Sequence, residues 1–264
     1  MTSHPRRIQA VAALLLLLFA APAFAAPGVA PAAEPQAERA ALDALWPLRD
    51  QPGPARRFGE RLEAALAANP EDPELLWRAA RWHVFRSMSL PGEAARKSEA
   101  ALAWRRAEQA LALAPESIPV RYWAALSAGA WGQSMGVLNA VRRGIEGRFR
   151  SNLDYVIAHD PQYDGGSALV ALGRYYYELP WPKRDTRRAT RYLQLALKVN
   201  PDNLRAKLYL AEVLAEDGRD GAKRGLALLE EILAARPGGA DGPEQRQVQS
   251  LAGKLKPRLE EKLK

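Results

Sequence analysis

The residues best suited to acid–base or metal chemistry in this chain of 264 are two histidines, His83 and His159, with a third, His4, near the start. Neither sits in an HExxH or comparable spacing, and the chain has no cysteine. A lone helical histidine is most often a packed or surface residue. Without cysteine, thiol catalysis and cysteine-ligated metals are excluded. No GxSxG, no P-loop and no GxGxxG following a strand occurs. Glu230–Glu231 and Glu260–Glu261 read as solvated helix surface rather than as an acid pair. With no nucleophile beside a base, the sequence predicts a protein that is not an enzyme, with no cofactor and no metal. What the residue types do offer is recognition. Trp77, Arg81 and Phe85 fall close together, as do Arg174 and Tyr177; Tyr122, Trp131 and Trp181 add large rings. Rings supply contact area and guanidinium groups supply forked donors, a pairing that suits an extended peptide or a small organic anion. The same rings would equally serve as core between helices.

The elements that must position these residues are marked by five prolines: Pro70, Pro115, Pro161, Pro201 and Pro237. The segments before them read LEAALAANP, AEQALALAP, LDYVIAHDP, LQLALKVNP and LEEILAARP. Each places apolar residues five, four and eight positions before the proline, which is one face of a helix. The proline ends that helix because it lacks an N–H and disfavours helix in the preceding residue. After four of the prolines a second helix begins, with Asp72, Ser117, Asp164 and Asp202 as candidate N-caps. Ala80, Ala125 and Ala211 stand ten positions past a proline, where two helices must cross closely. In the third unit Gly173 takes that place two positions late, and Gly165–Gly166 absorb the slip.

Helix, turn, helix and proline in repetition is the layout of a helical solenoid. The pattern over roughly residues 55–237 resembles the tetratricopeptide repeat. It predicts an all-α, TPR-like solenoid of about four helix-turn-helix hairpins in residues 39–241, with a leading helix. The proline spacings of 45, 46, 40 and 36 exceed the family's period of about 34, so insertions are expected at the turns within the hairpins. Residues 242–264 carry Val248, Leu251, Leu255 and Leu259 as an apolar stripe and predict a C-terminal capping helix, kinked or ended by Pro257.

In tetratricopeptide-like arrays the first helix of each unit lines a concave groove. That resemblance places Trp77, Arg81, Val84 and Phe85 on the groove, then Tyr122, Leu126 and Gly129, then Val170, Arg174 and Tyr177, then Arg205, Leu208 and Glu212. The variant of the fold that grips a C-terminal carboxylate uses Lys and Asn at several of these positions, which are not present here. Residues 133–146 read as an extra short helix, with Val137, Leu138, Val141 and Ile145 on one face, closing a pocket with Tyr122, Trp123, Trp131 and Tyr177. Trp181, between Pro180 and Pro182, reads as a plug against its helix pair. Two segments, YWAALSAGAWGQ and YDGGSALVALGRYYYELPW, are similar to helices of periplasmic proteins related to the T component of TRAP transporters, and to the regulator-of-microtubule-dynamics family.

The first 25 residues read as a secretory signal: a basic start, an apolar run broken at Pro22, and AFA at Ala23–Ala25. No cysteine follows for lipid attachment, and residues 26–38 read as an Ala/Pro-rich linker. Removing Arg6 and Arg7 lowers the net charge from +8 to +6, mildly basic, favouring anionic neighbours without calling for nucleic acid. The expected protein is exported, periplasmic or secreted, with a protein or peptide partner and no membrane span after cleavage.

Overall fold

A computed structural model describes residues 35–136, 140 and 142–264. The expected secretory leader, most of the linker, and Val137, Leu138 and Val141 of the expected extra helix lie outside those residues. The described residues are all-helical. Two helices lead, α1 (Pro35–Leu45) and α2 (Pro52–Ala68). Four hairpins follow: α3 (Pro73–Ser89) with α4 (Glu93–Leu113), α5 (Ile118–Met135) with α6 (Ile145–His159), α7 (Ser167–Glu178) with α8 (Thr186–Val199), and α9 (Leu204–Leu214) with α10 (Gly218–Ala234). A last helix, α11 (Gly242–Glu261), packs on α10 and α9. Each helix packs on its neighbours in the chain, as a solenoid requires. The core clusters all lie within Ala33–Lys264, which forms one compact unit.

The proline pattern locates the helix ends. Asn69, Ala114, Asp160 and Asn200 are the C-caps of α2, α4, α6 and α8, each immediately before its proline. The small residues mark the crossings: Ala80, Ala125 and Ala211 are wholly buried, and Ala80 meets Ala107 and Ala124 where α3, α4 and α5 converge. Gly173 is the third unit's crossing point, because a Cβ there would lie 2.6 Å from Leu193 Cγ. The two-residue slip is taken up by Asp164, Gly165 and Gly166, all at positive φ, a conformation glycine enters freely and aspartate tolerates.

Several expectations are corrected. The linker does not reach Glu38: α1 begins at Pro35, because Leu42 is wholly buried in the N-terminal core and Glu38 pairs with Arg61 of α2. The first hairpin's extra length lies in its helices, since only Leu90, Pro91 and Gly92 join α3 to α4. Asp72 does cap α3, accepting from the Glu74 amide at 2.9 Å. Asp164 and Asp202 do not cap. Gly166 precedes α7, and Asn203 caps α9 by accepting from the Ala206 amide at 2.9 Å. Pro257 does not end α11. Burial of Leu259 beyond it holds the last turn in place against a proline penalty of about 3 kcal/mol. The stripe of α11 runs through Val248, Ala252, Leu255 and Leu259, which cover Leu229 and Ile232, while Leu251 is exposed.

Candidate functional site

The first helices of the hairpins bring a set of rings and guanidinium groups to one side, and two 3-10 turns complete it. The turn Trp46–Leu48 follows α1, and the turn Gly239–Asp241 precedes α11. Arg49, only 5% exposed, donates from Nη1 to the carbonyls of Trp46 at 3.0 Å and Ala240 at 2.9 Å. Arg246 of α11 pairs with Asp50 at 2.5 Å. The beginning and the end of the helical array therefore touch, 191 residues apart in sequence.

Trp46 carries two cations against its ring. The guanidinium of Arg49 lies 4.3 Å from its ring centroid and that of Arg81 3.9 Å. Arg81 also reaches Trp77 at 5.0 Å and donates to Asp43 at 3.1 Å. Arg78 holds Asp43 more firmly, at 2.6 Å, and Glu74 at 2.9 Å. Burial opposes ionisation of Asp43, but the two guanidinium groups keep its carboxyl below the usual range. Burial pulls Arg81 down to about 10, with Asp43 resisting. The Nε atoms of Arg49 and Arg81 are buried and find no partner among the described residues. A buried, unsatisfied guanidinium N–H is costly unless something arrives to accept from it.

Beside this group lies a tyrosine pair, Tyr122 and Tyr163, edge to face at 5.3 Å, with Trp123 packed on Tyr122 at 5.2 Å. Burial raises both phenols, and the Asp164 carboxylate raises them further. Asp164 has its own pKa raised to about 6, by burial and then by the carboxylate of Asp241. Although many protein atoms surround it, Asp164 is solvent-exposed, and water screens its carboxyl. On the next helix Arg205 bonds Glu244 and, at 3.2 Å, the Tyr209 hydroxyl. Despite burial, Glu244 holds Arg205 above its ordinary pKa.

Asp164 supplies a pH test. Its carboxyl binds a proton more tightly folded than unfolded, so stability falls as pH rises from about 4 to about 6 and the loss persists above. Asp164→Asn, which keeps the positive-φ turn, should remove that slope. After solvent screening we expect a gain of about 1 kcal/mol at pH 7 and none at pH 4. Urea midpoints at the two pH values check it.

The expected site residues divide into three groups. Trp77, Arg81 and Phe85 do come together, with Trp46 and Arg49 added; Phe85 packs on Trp46 at 6.1 Å. Arg174 and Tyr177 form a second group. Arg174 bonds Glu212 and Glu178 and covers Tyr209 at 4.4 Å, and Tyr177 donates to Glu216 at 2.8 Å. Tyr122 joins Trp123 and Tyr163, Tyr177 stands with Arg184 and Glu216, and part of the segment expected to wall a pocket among Tyr122, Trp123, Trp131 and Tyr177 lies outside the described residues. Trp131 is half-buried in the later part of α5, more than two turns beyond Tyr122. Trp181 is not a plug; it is 89% exposed in the turn between α7 and α8.

Sequence reasoning missed Trp46, Arg49, Tyr163, Asp164, Asp241 and Glu244. All but Glu244 stand in or beside 3-10 turns, outside the register that the prolines set. The available signals were Trp46–Pro47 and the glycines after Asp164. His83 bonds Glu99 at 2.7 Å and burial depresses its pKa, a structural pairing, since Glu99 also accepts from Arg86 at 2.7 Å. Among the described residues no group of three or more histidine or acidic side chains could hold a metal. A shallow open depression of about 460 Å³ lies along α6, lined by Glu146, Arg150, Ser151 and Asp154.

No curated protein sequence matches this chain significantly. Among solved structures, it is similar to the flexible tandem repeat domain of a bacterial cellulose synthase component. The two are 18% identical with a TM-score of 0.28, over 82% of this chain and 94% of that one. The resemblance to the TRAP transporter T component gains no support from these comparisons. The family model described as regulator of microtubule dynamics protein 1-3 matches residues 53–256, from the start of α2 into the last helix, and this protein belongs to that family.

Proposed function

We propose that this is an exported, non-catalytic binding or scaffold protein of the bacterial cell envelope, engaging a protein or peptide partner through the face built from Trp46, Arg49, Trp77, Arg81 and Tyr163. The observation that carries the reading is the pair of buried, unpartnered Nε–H groups on Arg49 and Arg81, held against aromatic rings. Cations fixed on rings are pre-oriented, and because the two Nε–H groups are enclosed, a partner's carboxylate or backbone carbonyl must enter between the rings to accept from them. The role in the family's name would need a cytoskeletal partner, which an exported protein does not meet. This reading rests on the helical repeat architecture and on the cluster of rings and guanidinium groups it assembles.

The contact between the two ends of the array, through Arg49 and Ala240, favours a second reading: a small organic anion held by an accessory component of a solute transporter. Capture from envelope extract separates the two. Full-length protein should retain a partner, and Arg81→Gln should lower its recovery about tenfold. If recovery is unchanged by Arg81→Gln, the face is not the site. A small anion seen by native mass spectrometry, with no protein captured, selects the second reading.

A further inference from the structure

We propose that the edge of the array bearing the turn between α7 and α8 docks on an anionic lipid bilayer, with Trp181 at headgroup level and the basic face of α8 against the phosphates. Trp181 is the most exposed of the large hydrophobic side chains among the described residues, at 89%. An indole left in water gains most at a bilayer interface, where its ring is sheltered and its N–H stays wet. The turn that presents it is tied down. Arg184 donates to the Tyr177 carbonyl at 2.9 Å and pairs with Glu216 at 2.6 Å. Lys183 pairs with Glu146 at 3.2 Å, and the Asp185 amide bonds the Tyr176 carbonyl at 3.0 Å. An anchored tip loses little freedom on docking.

Helix α8 supplies the charge. Ala189, Leu193 and Ala196 are its wholly buried stripe. On the opposite side Arg187, Arg191 and Lys198 carry accessible surface, and among the described residues no hydrogen bond or ion pair engages them, whereas the neighbouring Arg188 pairs with Asp185 at 3.3 Å. The acids nearest the turn are already occupied: Glu146 by Lys183 and Tyr175, Asp185 by Arg188, and Glu216 by Arg184 and Tyr177. No ion pair neutralises the stripe among the described residues, although Asp154 of α6 acts on α8 through Tyr192. The turn after α8 exposes Asp202, four residues beyond Lys198, so the attraction to an anionic plane is strongest at the Arg187–Arg191 end, next to Trp181. Cations spread along a helix, with one indole at their rim, match a continuous phosphate surface better than one acidic peptide, which calls for a bounded groove.

Co-sedimentation with vesicles tests this, using the full chain and also residues 33–264, the compact unit free of the apolar leader. Both should bind vesicles of phosphatidylglycerol and phosphatidylcholine at low salt, release at high salt, and ignore phosphatidylcholine alone. Trp181→Ala should weaken binding roughly tenfold while Trp181→Phe keeps most of it. The combined Arg187→Glu, Arg191→Glu, Lys198→Glu variant should abolish it, with the far-UV circular dichroism unchanged. The proposal falls if residues 33–264 bind neither vesicle, bind both equally, or bind regardless of these substitutions. It falls equally if the stripe retains an acidic protein or nucleic acid but no vesicle. Arg81→Gln, which tests the proposed partner face, should leave vesicle binding intact.

Discussion

Phe58→Ala should destabilise the protein by about 3–5 kcal/mol and weaken partner binding as well, although Phe58 stands outside the binding face. Phe58 is wholly buried on α2. It closes a circuit of four rings: 5.7 Å to Trp46 and 4.9 Å to Trp82, with Phe85 lying 5.8 Å from Trp82 and 6.1 Å from Trp46. Removing one ring leaves a cavity whose walls are stiff aromatics, so collapse is limited and the cost falls in the upper range. The binding effect follows because Trp46 is the ring on which both Arg49 and Arg81 rest. A tilt of Trp46 into the vacated space carries both guanidinium groups with it. Urea unfolding followed by circular dichroism measures the first effect, and capture from envelope extract the second. A loss under about 1 kcal/mol would mean that the four rings are not close-packed.

Gly173→Val should cost at least about 3 kcal/mol, at the top of the range for overpacking. Helix propensity alone points the other way, since valine is favoured over glycine in a helix by a few tenths of a kcal/mol. Packing decides the outcome. The new Cβ would lie 2.6 Å from Leu193 Cγ, 2.9 Å from its Cδ2 and 3.3 Å from the Ala189 carbonyl oxygen. Leu193 is wholly buried among α7, α8 and α9 side chains and has nowhere to turn. Valine's two methyls enlarge the clash, and the hairpin α7–α8 must open to relieve it. The same opening would displace Arg174 and Tyr177 on one side and the Trp181 turn on the other. Thermal unfolding checks the prediction; a midpoint within a few degrees of the parent would show that the two helices can separate freely.

The helices and their ends are legible in the sequence because the forces that set them are local. A proline lacks its N–H wherever it stands, so five prolines locate four helix ends and the close of a fifth. Alanines and Gly173 mark crossings because only a small side chain fits between two backbones. Faces are legible for the same reason: Trp77, Arg81 and Phe85 share a helix side by periodicity, and so do Arg174 and Tyr177.

Three things are decided only in the folded chain. The lengths of the turns are not legible, since the first hairpin's extra residues extend α3 and α4 without changing the proline spacing. Trp181 reads as a plug on its residue type alone, yet whether a ring at a turn is covered depends on what packs above it, and among the described residues nothing does. Most decisive is the meeting of the Trp46 turn with the Ala240 turn. It depends on the rotation accumulated over four hairpins, each increment set by packing between residues far apart in sequence. No periodicity encodes that sum. For that reason Arg49, Tyr163, Asp164 and Asp241, which gather around the Trp46 and Arg81 group, become visible only where the two ends of the array touch.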